Sequence, residues 1–305
     1  MATAGGAVWL VLLACVLLNS FWLSIFDLLF LLAPWVVVPL ALNLVPLQAG
    51  RFSRVNELVV RYLLLPGAAL TTVSFFLKDR RPAGALVSLW LLVVVALALD
   101  GSERLIRTRL HSFPEFCFAF GEGYALVGGL WLLASRIGLR PFAFREPIVL
   151  LTAIHFHYAG LMAAILAGLA ASSMRTPLFL RIVLSCAVIG PGLLGLAFLV
   201  GPNLKLAAVG LMVIGECAIA FATYRVGLAE ATRIGGRMLL AGSACVIVGM
   251  ALAAVWALGE YPLHAFVNLV QMARYHGVLN SLGFGLCSLV GWNLLQRKHM
   301  PEECR

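Results

Sequence analysis

The chain has 305 residues, of which 62% are hydrophobic and 11% are charged. A soluble domain typically carries about 25% charged residues, and an ordinary core cannot hide so much apolar surface from water. The composition therefore excludes a soluble globular protein and predicts a protein solvated by lipid. Backbone polar groups in hydrocarbon must be paired internally, which leaves helices or a closed barrel as spanning structures.

The length of the apolar runs decides between helices and barrel strands. Barrel strands are about 10 residues long and alternate in polarity, whereas the runs here continue for about 20 residues, enough to cross about 30 Å of hydrocarbon. The sequence therefore predicts an all-α polytopic bundle with nine or ten transmembrane helices, forming a single transmembrane domain. Eight of the predicted spans lie near residues 60–77, 83–99, 117–135, 147–171, 180–201, 205–224, 238–259 and 277–295.

The N-terminal hydrophobic region, residues 6–47, leaves the count open between nine and ten. Asp27 is the one charged residue between Val8 and Leu47. This region is interpreted as two short helices that break near residues 19–27, or as one span preceded by an interfacial helix. A cleaved signal peptide is disfavoured, because the start carries no Lys or Arg and a secretory signal should have them.

The formal net charge of +9 does not point to nucleic acid. The basic residues stand singly or in pairs between apolar runs, which is typical of residues that set membrane topology. Loops that include Arg51, Arg104 and Arg225, together with the C-terminal tail, carry more Lys and Arg than the alternate loops. The positive-inside rule therefore places these loops and the C-terminus in the cytoplasm. The lipid bilayer and an unidentified small molecule or ion are the expected partners.

Two glutamates inside the predicted spans are candidate functional residues. A charge at the bilayer centre is costly and usually faces other helices, water or a ligand. Glu115 and Glu122 are seven residues apart, which places them on one helix face about 10 Å apart along the axis. Glu216 has no charged neighbour within a turn or two of its own helix. It therefore needs a partner from another helix or a proton, as a transport carboxyl or as a structural acid.

Three histidines and an asparagine complete the candidate set. His155 and His157 are two residues apart and point about 200° apart on a regular helix, so both can ligate one metal only if the helix is distorted. His157 shares a face with small residues and is predicted to point into the bundle, for a site or for an interhelical hydrogen bond. His276 and Asn280 fall on one helical stripe and are predicted to form a site.

Several spans are expected to bring these residues into one polar pocket. The leading hypothesis is a small-solute or ion transporter, with protons as a candidate coupling ion. Gly190-Pro191-Gly192 is interpreted as a flexible break in its span or as a simple proline kink. The expected pathway is lined by Glu122, His155, His157, Glu216, His276 and Asn280.

Two other classes of function compete with transport. One is a membrane-embedded enzyme that binds a transition metal or haem through the same histidines and glutamates, which are suitable ligand types. The spacing matches no established metal motif, and the seven scattered cysteines include no CxxC pair. The other is a structural or assembly partner of another membrane protein. A nucleotide-binding motif such as GxxxxGKS is absent from the sequence, which argues against an ATP-driven pump.

Two stretches carry a family resemblance. The stretches 151–160, LTAIHFHYAG, and 273–280, ARYHGVLN, are similar to signature stretches of the bacterial YndJ-like membrane proteins. The resemblance implies a multi-pass transporter of the bacterial inner (cytoplasmic) membrane. It supports His155, His157, His276 and Asn280 as site residues and implies no particular substrate.

Overall fold

The computed structural model describes residues 1–173, 177–259 and 268–296. These ranges are helical and contain no β-strand. Residues 174–176, residues 260–267 and the tail 297–305, which is predicted to be cytoplasmic, lie outside the described residues. Ten helices follow one another: α1 Ala2–Leu17, α2 Ile25–Leu42, α3 Arg51–Ser74, α4 Arg80–Thr108, α5 Phe113–Ile137, α6 Ile148–Ser172, α7 Leu178–Val200, α8 Pro202–Ala229, α9 Ile234–Gly259 and α10 Leu269–Gln296.

Within the described ranges, nine helices are long and apolar enough to cross a membrane, and α1 is a shorter apolar helix. This confirms the prediction of an all-α polytopic bundle. The N-terminal region breaks between α1 and α2, close to the predicted position. Asp27 explains the break, since its carboxylate accepts the Ser24 N–H at 2.7 Å and its own N–H donates to the Ser24 hydroxyl. The two residues form a capping box that begins α2.

Helices α3 and α4 are longer than the apolar runs that predicted them. The prediction began α3 near residue 60 and ended α4 near residue 99, whereas the structure begins α3 at Arg51 and continues α4 to Thr108. Arg104 had been assigned to a loop as a topology signal. That assignment is wrong, because Arg104 lies inside α4 and is 1% exposed. Hydropathy finds the lipid-facing part of a helix and misses a polar end that packs against protein.

The described chain forms two compact units. The first comprises Met1–Pro39 and Pro46–Leu161, and the second comprises Leu40–Val45 together with the chain from Met162 onward. The division falls inside α2 and α6, so neither helix belongs wholly to one unit. The single transmembrane domain over residues 1–305 stays a prediction.

In the first unit, α4 packs along α3 and along α5. Gly101 of α4 marks the closest approach to α5, since a Cβ added there would lie 2.7 Å from the Ala119 carbonyl oxygen and 3.1 Å from Glu122 Cβ. The missing side chain lets the two backbones come together. Polar residues on the facing sides of α3, α4 and α5 are thereby enclosed by protein.

In the second unit, α8 packs against α7 and α9, and α9 packs against α10. Gly235, Gly242 and Gly249 recur every seven residues along α9 and face α10. A Cβ at Gly242 would clash with Ser288, and one at Gly249 would clash with Asn280. A seven-residue spacing keeps small residues on one helix face, so that the two backbones can approach closely.

Pro191 lies inside α7, which continues without interruption from Leu178 to Val200. The flexible break predicted at Gly190-Pro191-Gly192 is therefore absent, and the structure has a proline within a continuous helix. Gly190 has a packing role, because a Cβ there would lie 2.5 Å from Met212 Cγ of α8.

The contact between α7 and α8 gives a test of this packing. A Cβ at Gly215 of α8 would lie 2.7 Å from Ala187 Cα, whereas one at Gly210 of the same helix meets no described atom within 4 Å. Gly215→Ala should lower the free energy of unfolding by about 1–3 kcal/mol, because the helices must separate. Gly210→Ala should leave it unchanged or raise it by up to about 1 kcal/mol, because alanine has the higher helix propensity. Thermal unfolding in mild detergent measures both, and equal stability of the two variants would contradict the packing.

Candidate functional site

A buried ion cluster lies between α4 and α5 in the first unit. Arg104 Nη1 donates to Glu115 Oε2 at 2.6 Å, and Arg104 Nε lies 3.5 Å from Glu122 Oε2. The guanidinium also donates from Nη2 to the Pro46 carbonyl oxygen at 3.1 Å. Gln48 Nε2 donates to Glu115 Oε2 at 2.6 Å. One arginine thus contacts both carboxyl groups that the seven-residue spacing had placed on one face of α5.

Asp100 adds a third carboxyl group to the cluster. It lies one turn before Arg104 on α4 and is 5% exposed. Its carboxylate accepts hydrogen bonds from the Ser53 hydroxyl and, at 2.9 Å, from Asn56 Nδ2, both on α3. Asp100 is therefore held by α3, whereas Glu115 and Glu122 contact the guanidinium directly.

Glu122 is the carboxyl group of the cluster with an oxygen that lacks a hydrogen-bond partner among the described residues. Its side chain is 1% exposed, and among the described residues its Oε2 has no hydrogen-bond partner, although the charge of Arg104 is close. A Cβ at Gly101 would lie 3.2 Å from this oxygen. A carboxyl oxygen that is buried, close to charge and without a hydrogen bond is available to a proton or to a ligand.

His157 is fully buried in the first unit, as predicted, and both of its ring nitrogens are occupied. Trp90 Nε1 donates to His157 Nε2 at 3.3 Å, so Nδ1 carries the proton and donates to the Ala153 carbonyl oxygen at 2.8 Å. Phe30 packs edge-on against the imidazole, with ring centroids 5.2 Å apart. The absent side chain of Gly128 gives the ring space. These contacts favour the interhelical hydrogen bond over a metal ligand.

His155 lies in a different environment from His157, since it is partly exposed. The two histidines flank the start of a π-helical stretch, Phe156–Met162, inside α6. A second such stretch, Leu279–Leu286, contains Asn280 in α10. Both stretches that resemble the family signatures therefore lie at local widenings of a helix, a feature that is frequent at functional sites.

His276 and Asn280 contact each other in the second unit, as their helical spacing predicts. Asn280 Nδ2 lies 3.0 Å from His276 Nε2, and His276 Nδ1 lies 2.8 Å from the Gly249 carbonyl oxygen of α9. A neutral imidazole fits this pattern, with Nδ1 as donor and Nε2 as acceptor. Among the described residues, Asn280 Oδ1 has no hydrogen-bond partner. This oxygen is available to accept a hydrogen bond from a ligand.

Glu216 is also in the second unit, on α8. It is 4% exposed, and its Oε2 has no hydrogen-bond partner among the described residues. No described Lys or Arg forms an ion pair with it. The sequence placed Glu216 correctly as a buried carboxyl group without a charged neighbour on its own helix.

The structure thus assigns the candidate residues to separate sets. Glu122 and His157 have different partners within the first unit, and His276 with Asn280 forms a pair in the second. The convergence of all six residues on one pocket stays a prediction. In the part of the chain that the structure describes, no three His, Cys, Asp or Glu side chains come together as metal ligands. The metal and haem ligand sets also stay predictions.

Sequence reasoning missed Asp100, Arg104, Ser53 and Asn56. Each lies beyond the end of an apolar run and was interpreted as part of a loop. The sequence did contain one signal. Asp100 and Arg104 are four residues apart, which is the spacing that places an acid and a base on the same face of a helix. Their partners on α3 carry no such signal in the sequence.

The fold and its enclosed ion cluster define a multi-pass helical membrane protein. The chain matches the family described as YndJ-like protein over residues 28–284 and belongs to that family. A relative from Bacillus subtilis (strain 168), described as "Uncharacterized membrane protein YndJ", is 27% identical over 263 residues. The match covers 86% of this chain and 46% of the relative, so the chain spans less than half of the relative's length. No solved structure matches the chain.

The ion cluster can be tested by its stability. Arg104→Gln leaves Glu115 and Glu122 without their guanidinium, and removal of one partner of a buried ion pair costs about 3–5 kcal/mol. The double variant Arg104→Gln/Glu122→Gln should recover part of this loss, because one uncompensated carboxyl group is also removed. Thermal unfolding of the four proteins in a double-mutant cycle measures the coupling. Strictly additive effects would mean that Arg104 and Glu122 do not interact.

The structural role of His157 can be tested in the same way. His157→Phe removes the acceptor for Trp90 Nε1, and an unpaired buried N–H costs about 1–3 kcal/mol. Because Trp90→Phe removes the unpaired donor but also leaves a cavity, the test is the coupling: His157→Phe should cost less stability in the Trp90→Phe background than in the wild type. A His157→Phe protein that is as stable as the wild type would contradict a structural hydrogen bond and return His157 to the candidate ligands.

Proposed function

We propose that the protein is a proton-coupled transporter of a small solute or ion in the bacterial cytoplasmic membrane, with Glu122 as the carboxyl group that binds and releases the proton. The observation that supports this most directly is the charge of the buried cluster. Two acids, Glu115 and Glu122, contact one base, Arg104, and the buried carboxyl group of Asp100 lies one turn away on α4. An uncompensated charge is costly in a buried site, so the acidic excess favours uptake of protons or of a cation.

The exposure of the two glutamates gives the proton a route. Glu115 is 19% exposed and Glu122 is 1% exposed, and both contact Arg104. They are separated by about 10 Å along α5. A proton enters from water at Glu115 and moves inward to Glu122, while the guanidinium stabilises whichever carboxyl group is ionised. Because the neighbouring Arg51 and Arg107 mark a basic end of the helices, the positive-inside rule makes this the cytoplasmic entrance.

The second unit has candidate residues of its own for binding a solute or an ion. Glu216 is a buried carboxyl group with an unpaired oxygen, and Asn280 offers an amide oxygen beside His276. Partly satisfied polar groups of this kind in transmembrane helices are typical of ion and substrate pathways. We assign Glu216 and Asn280 to solute or ion binding, and we assign proton entry to the cluster around Arg104.

Proteoliposomes loaded with a pH-sensitive dye test the proposal. Proton movement is followed after pH jumps and after gradients of Na⁺, K⁺, Li⁺ and chloride, for the wild type and for Glu122→Gln, Glu216→Gln and Glu230→Gln. Glu122→Gln should reduce proton flux about tenfold or more, because an amide cannot carry the proton. Glu216→Gln should reduce the flux that depends on the solute gradient.

Glu230→Gln is the matched control. Glu230 forms a surface pair with Arg233 at 2.6 Å just beyond the end of α8, and its side chain is 34% exposed, so flux should be retained. Wild-type flux in Glu122→Gln would refute the proposal. Stoichiometric metal or a haem absorption band in the purified protein, without proton movement under any gradient, would replace transport by the enzyme hypothesis.

A further inference from the structure

A basic recess lies at the end of the first unit, beside the start of α3 and the end of α4. Its volume is about 450 Å³, and its described lining residues include no acidic side chain, although the Glu103 carboxylate contacts the Arg51 N–H and pairs with Arg107. Arg51, Arg54 and Arg107 are exposed, and three guanidinium groups around one recess make a site for an anion. The lining residues are Ala49, Gly50, Arg51, Arg54 and Arg107.

The backbone amides at the start of α3 are already bound within the protein. Glu103 of α4 accepts hydrogen bonds from the N–H groups of Arg51 at 3.1 Å, Phe52 at 2.8 Å and Ser53 at 3.2 Å. An external anion is therefore attracted by the side chains and not by the end of the helix. Glu103 also lies 3.6 Å from Arg107 Nε. Among the described residues, no ion pair neutralises Arg51 or Arg54.

Exposed apolar side chains stand beside the arginines along the chain. Leu47 is 81% exposed before α3, Phe52 and Val55 are 39% and 43% exposed on its first turns, and Ile106 is 76% exposed near the end of α4. Water disfavours such surfaces, whereas acyl chains do not. The recess therefore combines two features of the membrane surface, a cluster of arginines for a phosphate group and adjacent apolar side chains for lipid tails.

We propose that this recess binds the phosphate group of an anionic ligand, with an anionic phospholipid of the bilayer as the source that the apolar surroundings favour. The planar guanidinium suits phosphate because it donates two parallel hydrogen bonds to two of the oxygens. Arg51 and Arg54 are available for this, and Arg107 can turn from Glu103 to the ligand. Free inorganic phosphate shares this chemistry and is the alternative source.

The test uses the full chain in mild detergent and two kinds of probe. Native mass spectrometry measures the binding of phosphatidylglycerol and of phosphatidylcholine with the same acyl chains, and calorimetry measures the binding of inorganic phosphate. The variants are Arg54→Gln, Arg107→Gln and the double substitution. Arg61→Gln is the control, because Arg61 is exposed on α3, carries the same charge and does not line the recess.

Phosphatidylglycerol should bind about fivefold more weakly to each single recess variant, and more weakly still to the double variant, with Arg61→Gln within about twofold of the wild type. Phosphatidylcholine should bind more weakly than phosphatidylglycerol to the wild type and should not respond to the variants. Binding of inorganic phosphate with the same dependence on Arg54 and Arg107 would support the site and assign it to free phosphate.

Three results would overturn the proposal. In the first, Arg61→Gln weakens the binding of phosphatidylglycerol as much as the recess variants do. In the second, the recess variants bind phosphatidylglycerol and inorganic phosphate as tightly as the wild type. In the third, the wild type binds neither probe. Arg54→Lys guards against loss of folding, since it keeps the charge and removes the planar fork. It should bind phosphatidylglycerol with an affinity between those of the wild type and Arg54→Gln. These outcomes do not depend on transport, so the site and the transport proposal stand or fall separately.

Discussion

The arrangement of the first unit depends on the guanidinium of Arg104. It lies 1% exposed between α4 and α5, holds Glu115 at 2.6 Å and Glu122 at 3.5 Å, and reaches the Pro46 carbonyl oxygen before α3. A group this polar is tolerated in a membrane helix only when protein surrounds it and supplies partners. The close contact of α4 and α5 at Gly101 provides that enclosure. The close packing of α4 and α5 is therefore also what encloses the charged side chains of the cluster.

Hydropathy predicted the helices well and the cluster poorly, and the same physics explains both results. Lipid exposure demands apolar side chains over about 20 residues, so each span is visible in the sequence. The polar ends of α3 and α4 face protein, and nothing in their composition distinguishes Asp100 or Arg104 from loop residues. Glu122 and Glu216 were predictable because they interrupt apolar runs. The partners of these glutamates could not be predicted, because residues that pair across two helices have no characteristic spacing in the sequence.

The histidines show a second limit of sequence reasoning. His157 was expected to point inward, and the structure places it in an aromatic pocket where Trp90 and the Ala153 carbonyl oxygen occupy both ring nitrogens. An imidazole bound in this way is a fixed hydrogen-bonding group, and for this reason the proposed proton transfer is assigned to the carboxyl groups near Arg104 and not to His157. The π-helical stretch after His155 could not be foreseen, because a widened turn has the same residue types as a regular one.

The charge of the basic recess also affects how readily the buried carboxyl groups take up protons. Arg51, Arg54 and Arg107 create a positive potential at the end of the unit where Glu115 is partly exposed, and at physiological salt such a potential extends about 8 Å. An empty recess would therefore lower the local concentration of protons at Glu115. A bound phosphate group would cancel this potential and ease proton entry. If both proposals hold, proton uptake through Glu122 should be faster in membranes rich in anionic lipid than in membranes of neutral lipid.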